Sequence, residues 1–445
     1  MKVAVVGTGY VGLVSGVCLA ERGHDVVCVD VDPRKVEAIN HGIPPIHERG
    51  LEALLRKNIG TRLRATTDLG RAVQETDVSL IAVGTPFNGR EIDLTQVKTV
   101  AAQIGAALRS RHGYHVVVVK STVVPGTTDR VVRPLLEEAS GRKAGVDFGV
   151  GMNPEFLTEG EAVSDFMDPD RIVLGGMDDA SIATLEELYA DFHGVERLRT
   201  NNATAEMIKY TSNALLATMI SFSNEIGNLC ATVGGVDVVD VMRGVHASRY
   251  LTSVLPDGRR IAPGIVSFLA AGCGFGGSCL PKDVKALIAH GEGAGTPMDV
   301  LRAVIAVNER QPDRVLDLLH RHFPSLAGVP VAILGLAFRP DTDDMRESPA
   351  IPLIERLLAE GALVRAYDPA AMQEARRILG ADRIRLCPSA ADAVAEAQAV
   401  VLVTRWDEFR DLPALLKGLE RPPVLVDGRR LLDKRAVDRY EGIGL

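Results

Sequence analysis

The chain has 445 residues, a formal net charge of −8, and 46% hydrophobic and 24% charged residues. This length predicts two or three domains, and an acidic balance without a long basic run argues against nucleic acid and anionic membrane as partners. No apolar run is long enough to span a bilayer, and the N-terminus lacks the pattern of a signal peptide, so we expect a cytoplasmic location.

The cysteines are scattered through the chain and form no C-x-x-C pair and no Cys/His zinc spacing. They are Cys18, Cys28, Cys230, Cys273, Cys279 and Cys387. Because the cytosol keeps thiols reduced, neither a disulfide framework nor a metal site is predicted.

The first part of the chain alternates short apolar runs with helical patterns. Runs that fit buried parallel strands lie at 3–6, 25–29, 78–83, 115–119 and 172–174. This alternation predicts a doubly wound α/β domain over residues 1–200.

A G-x-G-x-x-G pattern stands between the first strand and the first helix. Its glycines allow a tight turn, close approach of a pyrophosphate and close helix packing, and the helix N-terminus then faces the phosphates. Asp30 ends the next strand, where a carboxylate binds a ribose diol and would repel a 2′-phosphate, so the pattern favours NAD over NADP. The predicted cofactor contacts here are Gly7, Gly9, Tyr10, Val11, Gly12, Asp30 and Lys35.

Acidic residues follow a later strand. Asn153 suits a helix N-cap with Pro154 at the first helical position, and Glu155 and Glu159 would then share a helical face. Carboxylates at the end of a strand suit general acid/base work or water positioning. The alternative is an ordinary solvated helix start.

Residues 204–232 contain no proline and are apolar on more than one side. They predict one long helix ending at Gly234-Gly235, buried on several faces and packed against a second subunit. Glu206, Lys209 and Asn213 share one face of this helix. A buried ammonium is costly unless it is paired or functional, so Lys209 either stabilises an oxyanion or forms a solvated structural pair with Glu206.

The glycine-rich segment 274–283 ends in Ser278-Cys279-Leu280-Pro281-Lys282-Asp283. Pro281 fits the first turn of a helix, which places Cys279 at a helix N-terminus, where the dipole favours the thiolate. Asp283 is one turn further on the same face. These features favour a nucleophilic cysteine with a nearby base over a buried structural cysteine.

From residue 329 the α/β alternation returns, with strands at 331–334, 363–367, 399–403 and 424–426 and a helix at 349–359. This predicts a second, smaller α/β domain over residues 316–445, after a central helical domain over 201–315. Four arginines fall at strand ends or in loops, where open sheets bind ligands and arginine forks suit diphosphates. They are Arg339, Arg346, Arg429 and Arg430, and ordinary surface arginine is the alternative.

Together these motifs resemble the UDP-glucose/GDP-mannose dehydrogenase family. The matching segments span nearly the whole chain: 7–12, 83–86, 120–122, 153–159, Lys209 with Asn213, 274–283, 335–348 and 427–430. The resemblance implies two Rossmann-like doubly wound domains, the first for NAD and the last for a sugar nucleotide, joined by a long central helix region that forms a homodimer.

The resemblance also implies a four-electron oxidation of a C6 alcohol to a carboxylate with two NAD. Cys279 would carry first a thiohemiacetal and then a thioester, which water hydrolyses. UDP-glucose is the predicted substrate and UDP-glucuronate, a polysaccharide precursor, the predicted product. GDP-mannose, dTDP-glucose and a UDP-N-acetyl-hexosamine stay open as alternatives.

Residue roles follow from the matching motif positions. The implied catalytic residues are Cys279, Lys209, Asp283, Asn213, Thr122, Glu155 and Glu159. The implied further cofactor contacts are Gly84, Thr85, Pro86, Ser121, Thr122, Glu159 and Arg346. The implied substrate contacts are Glu155, Phe156, Leu157, Lys209, Asn213, Arg249, Phe275, Gly276, Phe338, Arg339 and Arg429.

One region departs from the UDP-glucose pattern. Residues 251–265 look like an insertion, close to where a family arginine reaches the partner subunit's substrate, so Arg249 is the first candidate and Arg259 or Arg260 the second. Residues 248–250 and 278–281 lean toward GDP-mannose enzymes, whereas 156–160 and 165–173 lean toward UDP-glucose enzymes.

Two other functions remain open. A two-electron β-hydroxyacid dehydrogenase would also combine a Rossmann domain, long helices and a catalytic lysine, but would need neither a thiol nor a second nucleotide domain. A sugar-nucleotide sensor without turnover would be expected to lack Cys279, Lys209 or Asp283, and all three are present.

Overall fold

The computed structural model of the chain describes residues 1–380 and 383–445. These residues form two compact units, Met1–Ser212 and Asn213–Leu445, and each unit contains its own predominantly parallel sheet flanked by helices. The predicted fold class is therefore confirmed. The three-domain boundaries are finer than this division and stay a prediction.

The sheet of the first unit has eight strands. They are β1 (Lys2–Val6), β2 (Asp25–Val29), β3 (Leu63–Thr66), β4 (Val78–Ile81), β5 (Val116–Val119), β6 (Gly149–Met152), β7 (Arg171–Gly176) and β8 (Glu196–Thr200). Their order is β3-β2-β1-β4-β5-β6-β7-β8, and all neighbours are parallel except β6 and β7. The central strands β4 and β5 are buried throughout, because helices cover both faces of a doubly wound sheet.

The helices of the first unit lie between these strands. They are α1 (Tyr10–Glu21), α2 (Pro33–Asn40), α3 (Leu51–Asn58), α4 (Leu69–Glu75), α5 (Thr95–Leu108), α6 (Arg133–Ser140), α7 (Ala162–Met167) and α8 (Asp179–Leu188). A π-helical turn, Thr128–Val132, precedes α6. Asp32, Asp68 and Asp178 cap their helices by accepting backbone N–H bonds, which satisfies donors that a helix start leaves open.

The predicted long helix is confirmed as α9 (Asn202–Val233), 32 residues in length, or about 48 Å. It begins in the first unit and continues into the second. Gly234 and Gly235 follow it with φ of +74° and +70°, and this left-handed backbone, which glycine adopts without steric cost, ends the helix.

The second unit contains a six-stranded sheet and a small hairpin. The hairpin is β9 (Ser253–Val254) and β10 (Arg260–Ile261), and the sheet strands are β11 (Pro330–Leu334), β12 (Leu363–Tyr367), β13 (Arg385–Leu386), β14 (Ala399–Leu402), β15 (Val424–Asp427) and β16 (Tyr440–Gly442). The sheet order is β13-β12-β11-β14-β15-β16, parallel throughout. It thus repeats the order of the first six strands of the first unit.

Seven helices complete the described part of the second unit. They are α10 (Val238–His246), α11 (Leu280–Gly293), α12 (Asp299–His320), α13 (Ala350–Ala359), α14 (Met372–Leu379), α15 (Ala390–Val394) and α16 (Leu412–Lys417). Single 3₁₀ turns occupy Gly264–Phe268 and Asp407–Asp411. Within the described residues, no helix has both the length and the apolar character to cross a membrane.

Candidate active site

The glycine turn after β1 has the shape that a dinucleotide site needs. Gly7 has a φ of +100°. A Cβ on Gly12 would lie 1.9 Å from the Gly7 oxygen, whereas a Cβ on Gly9 would meet nothing within 4 Å. Gly7 and Gly12 are thus needed for the protein's own packing. Gly9 instead leaves open space at the N-terminus of α1, where Tyr10 and Val11 begin the helix and where a pyrophosphate fits.

Asp30 lies half-buried after β2, beside this turn. Its carboxylate accepts hydrogen bonds from Thr8 N at 2.9 Å, Thr8 Oγ1 at 2.5 Å and Asp32 N at 3.0 Å. Burial raises the pKa of Asp30, but these bonds and the charge of nearby Lys35 outweigh burial and hold the pKa below its ordinary value. An ionised acceptor is therefore available for ribose hydroxyl groups.

The loops after β4 and β5 meet at the carboxyl edge of the sheet. Ser121 Oγ donates to Val83 O at 2.7 Å, and Thr85 Oγ1 donates to Thr122 O at 2.7 Å. Gly84 and Pro86, the other predicted contacts, are exposed in the same loop. The structure thus brings together the residues that were predicted here from two separate motifs.

The helix predicted to start at Asn153 is wrong, because residues 153–158 form an irregular segment and the next helix is α7. The Asn153 side chain accepts bonds from Lys120 Nζ at 2.9 Å and Tyr189 OH at 2.5 Å and donates to Val173 O at 2.9 Å. Because these three residues already bond the Asn153 amide, it does not cap a helix after Asn153. Glu155 and Glu159 therefore do not share a helical face.

Glu155 instead forms a buried ion pair with Lys209. Lys209 Nζ lies 2.9 Å from Glu155 Oε1, and the two side chains are 4% and 5% exposed. Leu157 N donates to the other carboxylate oxygen at 2.7 Å. Burial raises the pKa of Glu155, yet the Lys209 ammonium outweighs burial and holds it below its ordinary value. The ring of Phe156 lies 5.5 Å from Lys209 Nζ, so three predicted site residues are adjacent.

The alternative of a solvated Glu206–Lys209 pair is wrong. Glu206 is fully buried and accepts bonds from Gly126 N at 2.5 Å, Thr128 N at 2.8 Å and Thr128 Oγ1 at 2.7 Å. Burial raises the pKa of Glu206 to about 7. Glu206 therefore anchors the segment that follows Thr122, while Lys209, one turn along α9, pairs with Glu155.

Sequence reasoning missed Glu48. Its carboxylate accepts bonds from Gly160 N at 2.8 Å and Ala162 N at 3.0 Å and contacts the Tyr10 hydroxyl. It thereby ties the segment after the buried Glu159 to the start of α1. No local pattern around Glu48 could have indicated this contact, because its partners are distant in the sequence.

In the second unit, Cys279 is the N-cap of the 14-residue helix α11, and Pro281 lies in its first turn. This prediction is confirmed. Cys279 is partly exposed, with Sγ 3.6 Å from Ser278 Oγ, whereas the other five cysteines of the chain, all among the described residues, are buried. A partly exposed thiol at a helix N-terminus suits a nucleophile.

Asp283 lies one turn further and is 1% exposed. Its carboxylate oxygens accept bonds from Asn213 Nδ2 and Lys282 Nζ, each at 2.6 Å. The structure therefore places the predicted residues Asn213 and Asp283 in direct contact.

The glycine-rich segment before Cys279 packs against the loop after β11. A Cβ on Gly276 would lie 2.2 Å from Glu347 O, and one on Gly277 would lie 2.7 Å from the ring of Phe338. Gly277 N also donates to Arg346 O at 2.9 Å. These close approaches explain the glycines and bring two of the predicted segments together.

The other side of this segment is held by residues that were not predicted. Asn308 on α12 bonds both backbone groups of Phe275, at 2.8 and 3.0 Å, and Gln311 Nε2 donates to Gly272 O at 2.7 Å. Polar residues on the buried face of α12 were the only available signal. The bonds from Asn308 and Gln311 fix the backbone of the segment before Cys279 against α12.

The predicted arginines have different environments. Arg429 Nη1 donates to Gly274 O at 2.8 Å, whereas Arg430 is buried in an ion pair with Asp237 at 2.9 Å. Arg339 is half-buried, Arg346 is exposed and pairs with Asp344 at 2.6 Å, and Arg249 is exposed after α10. The Arg429 side chain thus contacts the glycine-rich segment directly.

Comparisons with known proteins agree with this geometry. Models of the UDP-glucose/GDP-mannose dehydrogenase family match residues 1–193 (NAD binding domain), 203–310 (central domain) and 332–434 (UDP binding domain). The UDP-glucose 6-dehydrogenase AglM of Haloferax volcanii is 43% identical over 100% of both chains. The GDP-mannose 6-dehydrogenase of Pseudomonas aeruginosa is 43% identical over 83% of this chain and 81% of its own.

A solved structure extends the likeness to three dimensions. The UDP-glucose dehydrogenase of the archaeon Pyrobaculum islandicum superposes with a TM-score of 0.90 at 39% identity, covering 100% of this chain and 97% of that one. The chain belongs to the UDP-glucose/GDP-mannose dehydrogenase family.

Proposed function

We propose that this chain is an NAD-dependent nucleotide-sugar 6-dehydrogenase that oxidises UDP-glucose to UDP-glucuronate. The observation that carries the proposal is the partly exposed thiol of Cys279 at the N-terminus of α11. Oxidation of an aldehyde by hydride transfer needs a tetrahedral adduct, and a thiolate is a suitable nucleophile to form one.

The first unit supplies the cofactor site. Gly9 leaves the space that a pyrophosphate needs, and Asp30 offers an ionised carboxylate to the ribose. Gly84, Thr85, Pro86 and Ser121 contribute from the two neighbouring loops. NAD accepts the two hydrides that the reaction releases.

The residues of each unit then have distinct tasks. Lys209, fixed by Glu155, supplies an ammonium for the oxyanion. Thr122 and Glu159 assist proton handling. Asp283, with Asn213 bound to it, is the base that activates water for hydrolysis of the thioester.

The covalent steps balance as follows. Cys279 Sγ forms a bond to the aldehyde carbon, and the oxygen gains a proton, which gives a thiohemiacetal. Loss of a hydride and a proton leaves a thioester. Water then adds to its carbon and the C–S bond breaks. In total, R–CH2OH, H2O and two NAD⁺ give R–COO⁻, two NADH and three protons.

UDP-glucose is favoured as the substrate by the full-length match to AglM, since the GDP-mannose 6-dehydrogenase matches a smaller share of the chain at the same identity. Phe156, Leu157, Phe275, Gly276, Phe338, Arg339, Arg429 and the exposed Arg249 are the proposed substrate contacts, with Arg346 on the cofactor side.

A homodimer is part of the proposal. Leu215, Phe222 and Leu229 repeat on one face of α9 and are 51%, 50% and 57% exposed. Such an exposed apolar stripe is typical of a protein interface. Replacing Leu215 and Phe222 by Glu should give a monomer by light scattering. We place the enzyme in the cytoplasm, where the Cys279 thiol stays reduced.

The test is a count of NADH formed per sugar, across UDP-, dTDP- and GDP-sugars. Two NADH per UDP-glucose, with a uronate as product, are expected. One NADH would support a two-electron dehydrogenase, and binding without any NADH would support a sensor. Faster turnover of GDP-mannose would move the substrate assignment to that sugar nucleotide.

A further inference from the structure

Lys120, after β5, is a buried amine to which the mechanism above gives no task. It is 3% exposed, and its Nζ donates to Asn153 Oδ1 at 2.9 Å and to Asn153 O at 3.5 Å. These acceptors are neutral, and among the described residues Lys120 forms no ion pair within 4.0 Å. A buried ammonium without a counter-ion at hydrogen-bond distance is costly in its charged form.

The charged groups that act on Lys120 are the Glu155–Lys209 pair. Burial lowers the pKa of Lys120 to about 8, with Glu155 raising it and Lys209 lowering it further. Its other neighbours are the Tyr189 hydroxyl, which shares Asn153 Oδ1, and the Phe166 ring at 5.8 Å. Lys120 can therefore change its charge near neutral pH.

Lys120 also borders open space. Lys120, Asn153, Glu155 and Phe156 line a cavity of about 290 Å³ within the first unit. The same cavity has acidic groups. Asp165 accepts a bond from Thr158 N at 2.8 Å, Asp170 pairs with Arg171 at 2.6 Å, and Asp168 is exposed. Solvent screens the charges of the exposed carboxylates. The charge of Lys120 is screened less, because its side chain is buried.

We propose that Lys120 is a positioning residue that binds a proton when the neutral hydroxymethyl group of the substrate becomes an anion beside the Glu155–Lys209 pair. The inference rests on the proposed function. The oxidation releases three protons, and one of them is retained as Lys120 –NH2 becomes –NH3⁺, with no electron transferred. Release of the uronate returns that proton to solvent.

The expected pH dependence has a definite sign. Near pH 8 about half of the Lys120 amines are neutral, and a nearby carboxylate raises the pKa of an amine. Binding of UDP-glucuronate should then take up as much as about half a proton, whereas UDP-glucose, which has no carboxylate, should take up close to none. Uronate affinity should weaken several-fold between about pH 7 and pH 9.

The experiment is calorimetric titration of the full chain with UDP-glucuronate and with UDP-glucose, in buffers of different ionisation enthalpy. The Cys279→Ser background removes that thiol from the proton count. Lys120→Met should abolish the extra proton uptake, and Lys120→Arg should abolish it while keeping uronate affinity constant with pH. Lys98→Met, an exposed change on α5, is the matched control and should behave as the parent.

Equal proton uptake with both nucleotides in the parent would overturn the inference, as would uptake that persists in Lys120→Met. If Lys120→Met fails to fold, the parent and Lys120→Arg still decide. The NADH count with the unmodified enzyme is a separate measurement. Two NADH per UDP-glucose with equal proton uptake would retain the proposed function and reject the role of Lys120.

Discussion

The two sheets share one strand order but use the end of their second strand differently. In the first unit, Asp30 follows β2, is half-buried and accepts bonds from Thr8 and Asp32. In the second unit, Asp368 follows β12 and is fully buried. It accepts bonds from the backbone of Leu336, Ala337, Ala370 and Ala371 and from Trp406 Nε1.

The segment after the first strand differs in the same way. In the first unit, helix α1 starts directly after the glycine turn, so its N-terminus faces the ligand space. In the second unit, the first helix after β11 begins only at Ala350, and the loop after Gly335 packs against the glycine-rich segment of Cys279. One topology thus leaves an open helix N-terminus in one unit and supports the segment that carries Cys279 in the other.

The largest effect is expected at Cys279, the thiol that lies in the second unit. Cys279→Ser should lower uronate formation by at least about a thousandfold, because serine at neutral pH is a far weaker nucleophile. Binding of NAD and of the nucleotide sugar, measured by calorimetry, should change little. Wild-type turnover by the purified variant would show that the covalent mechanism is wrong.

The carboxylates of Asp368 and Asp30 can each be replaced by an amide, which gives a matched pair of variants. Asp368→Asn replaces a buried acceptor of five donors by a side chain with one acceptor oxygen, and should lower the free energy of unfolding by about 2–3 kcal/mol. Asp30→Asn should cost less than about 1 kcal/mol and instead reduce the preference for NAD over NADP. Denaturant titration and cofactor kinetics measure the two effects. Equal destabilisation would remove the distinction drawn between the two carboxylates.

Gly9→Ala tests whether the first glycine turn is built for a ligand. Gly9 has a φ of −69° and open space around it, so alanine should leave stability unchanged. We expect the KM for NAD to rise about tenfold, because the methyl group occupies the path of the pyrophosphate, while the KM for UDP-glucose stays constant. Unchanged NAD kinetics would place the cofactor elsewhere.

The smallest effect concerns the β9–β10 hairpin, which lies in the segment 251–265 that is predicted to be an insertion. Replacing residues 255–260 by a short turn should raise the KM for the nucleotide sugar several-fold and leave the KM for NAD and the thermal midpoint nearly unchanged. The hairpin residues Val254 and Ile261 are 54% and 50% exposed, so little packing is lost. Equal changes in both KM values would argue against a substrate role for the hairpin.

Many of the features that distinguish the two units could be predicted from the sequence, because the sequence patterns that indicate them are local. Many of the strands appear as apolar runs of three to six residues, whereas β8 (Glu196–Thr200) shows no such run. The first glycine turn appears as a strand–glycine–helix pattern, and the position of Cys279 at a helix N-terminus follows from Pro281. Predicted bounds such as 363–367 agree with β12. Each of these features depends on residues within one or two turns of each other.

The other features depend on partners that no local pattern reveals. Glu48 reaches Gly160 and Ala162, more than one hundred positions away, and Asn153 is held by Lys120 and Tyr189. In the case of Asn153, local capping rules gave the wrong answer because tertiary hydrogen bonds took the side chain. The helical spacing predicts that Glu206 lies on the same face of α9 as Lys209. It does not predict the partners of Glu206, Gly126 and Thr128, which belong to another segment.

The five hydrogen bonds that the Asp368 carboxylate accepts have a consequence for amide hydrogen exchange. Three of its four backbone donors, Leu336, Ala337 and Ala371, are fully buried, so their amide hydrogens should exchange only when the second unit opens as a whole. The amides of Thr8 and Asp32, which bond the half-buried Asp30, should exchange through small local openings, and bound NAD should slow them selectively. The turn proposed to receive the cofactor would then be among the more labile parts of its sheet, and the matching turn of the second unit among the most protected.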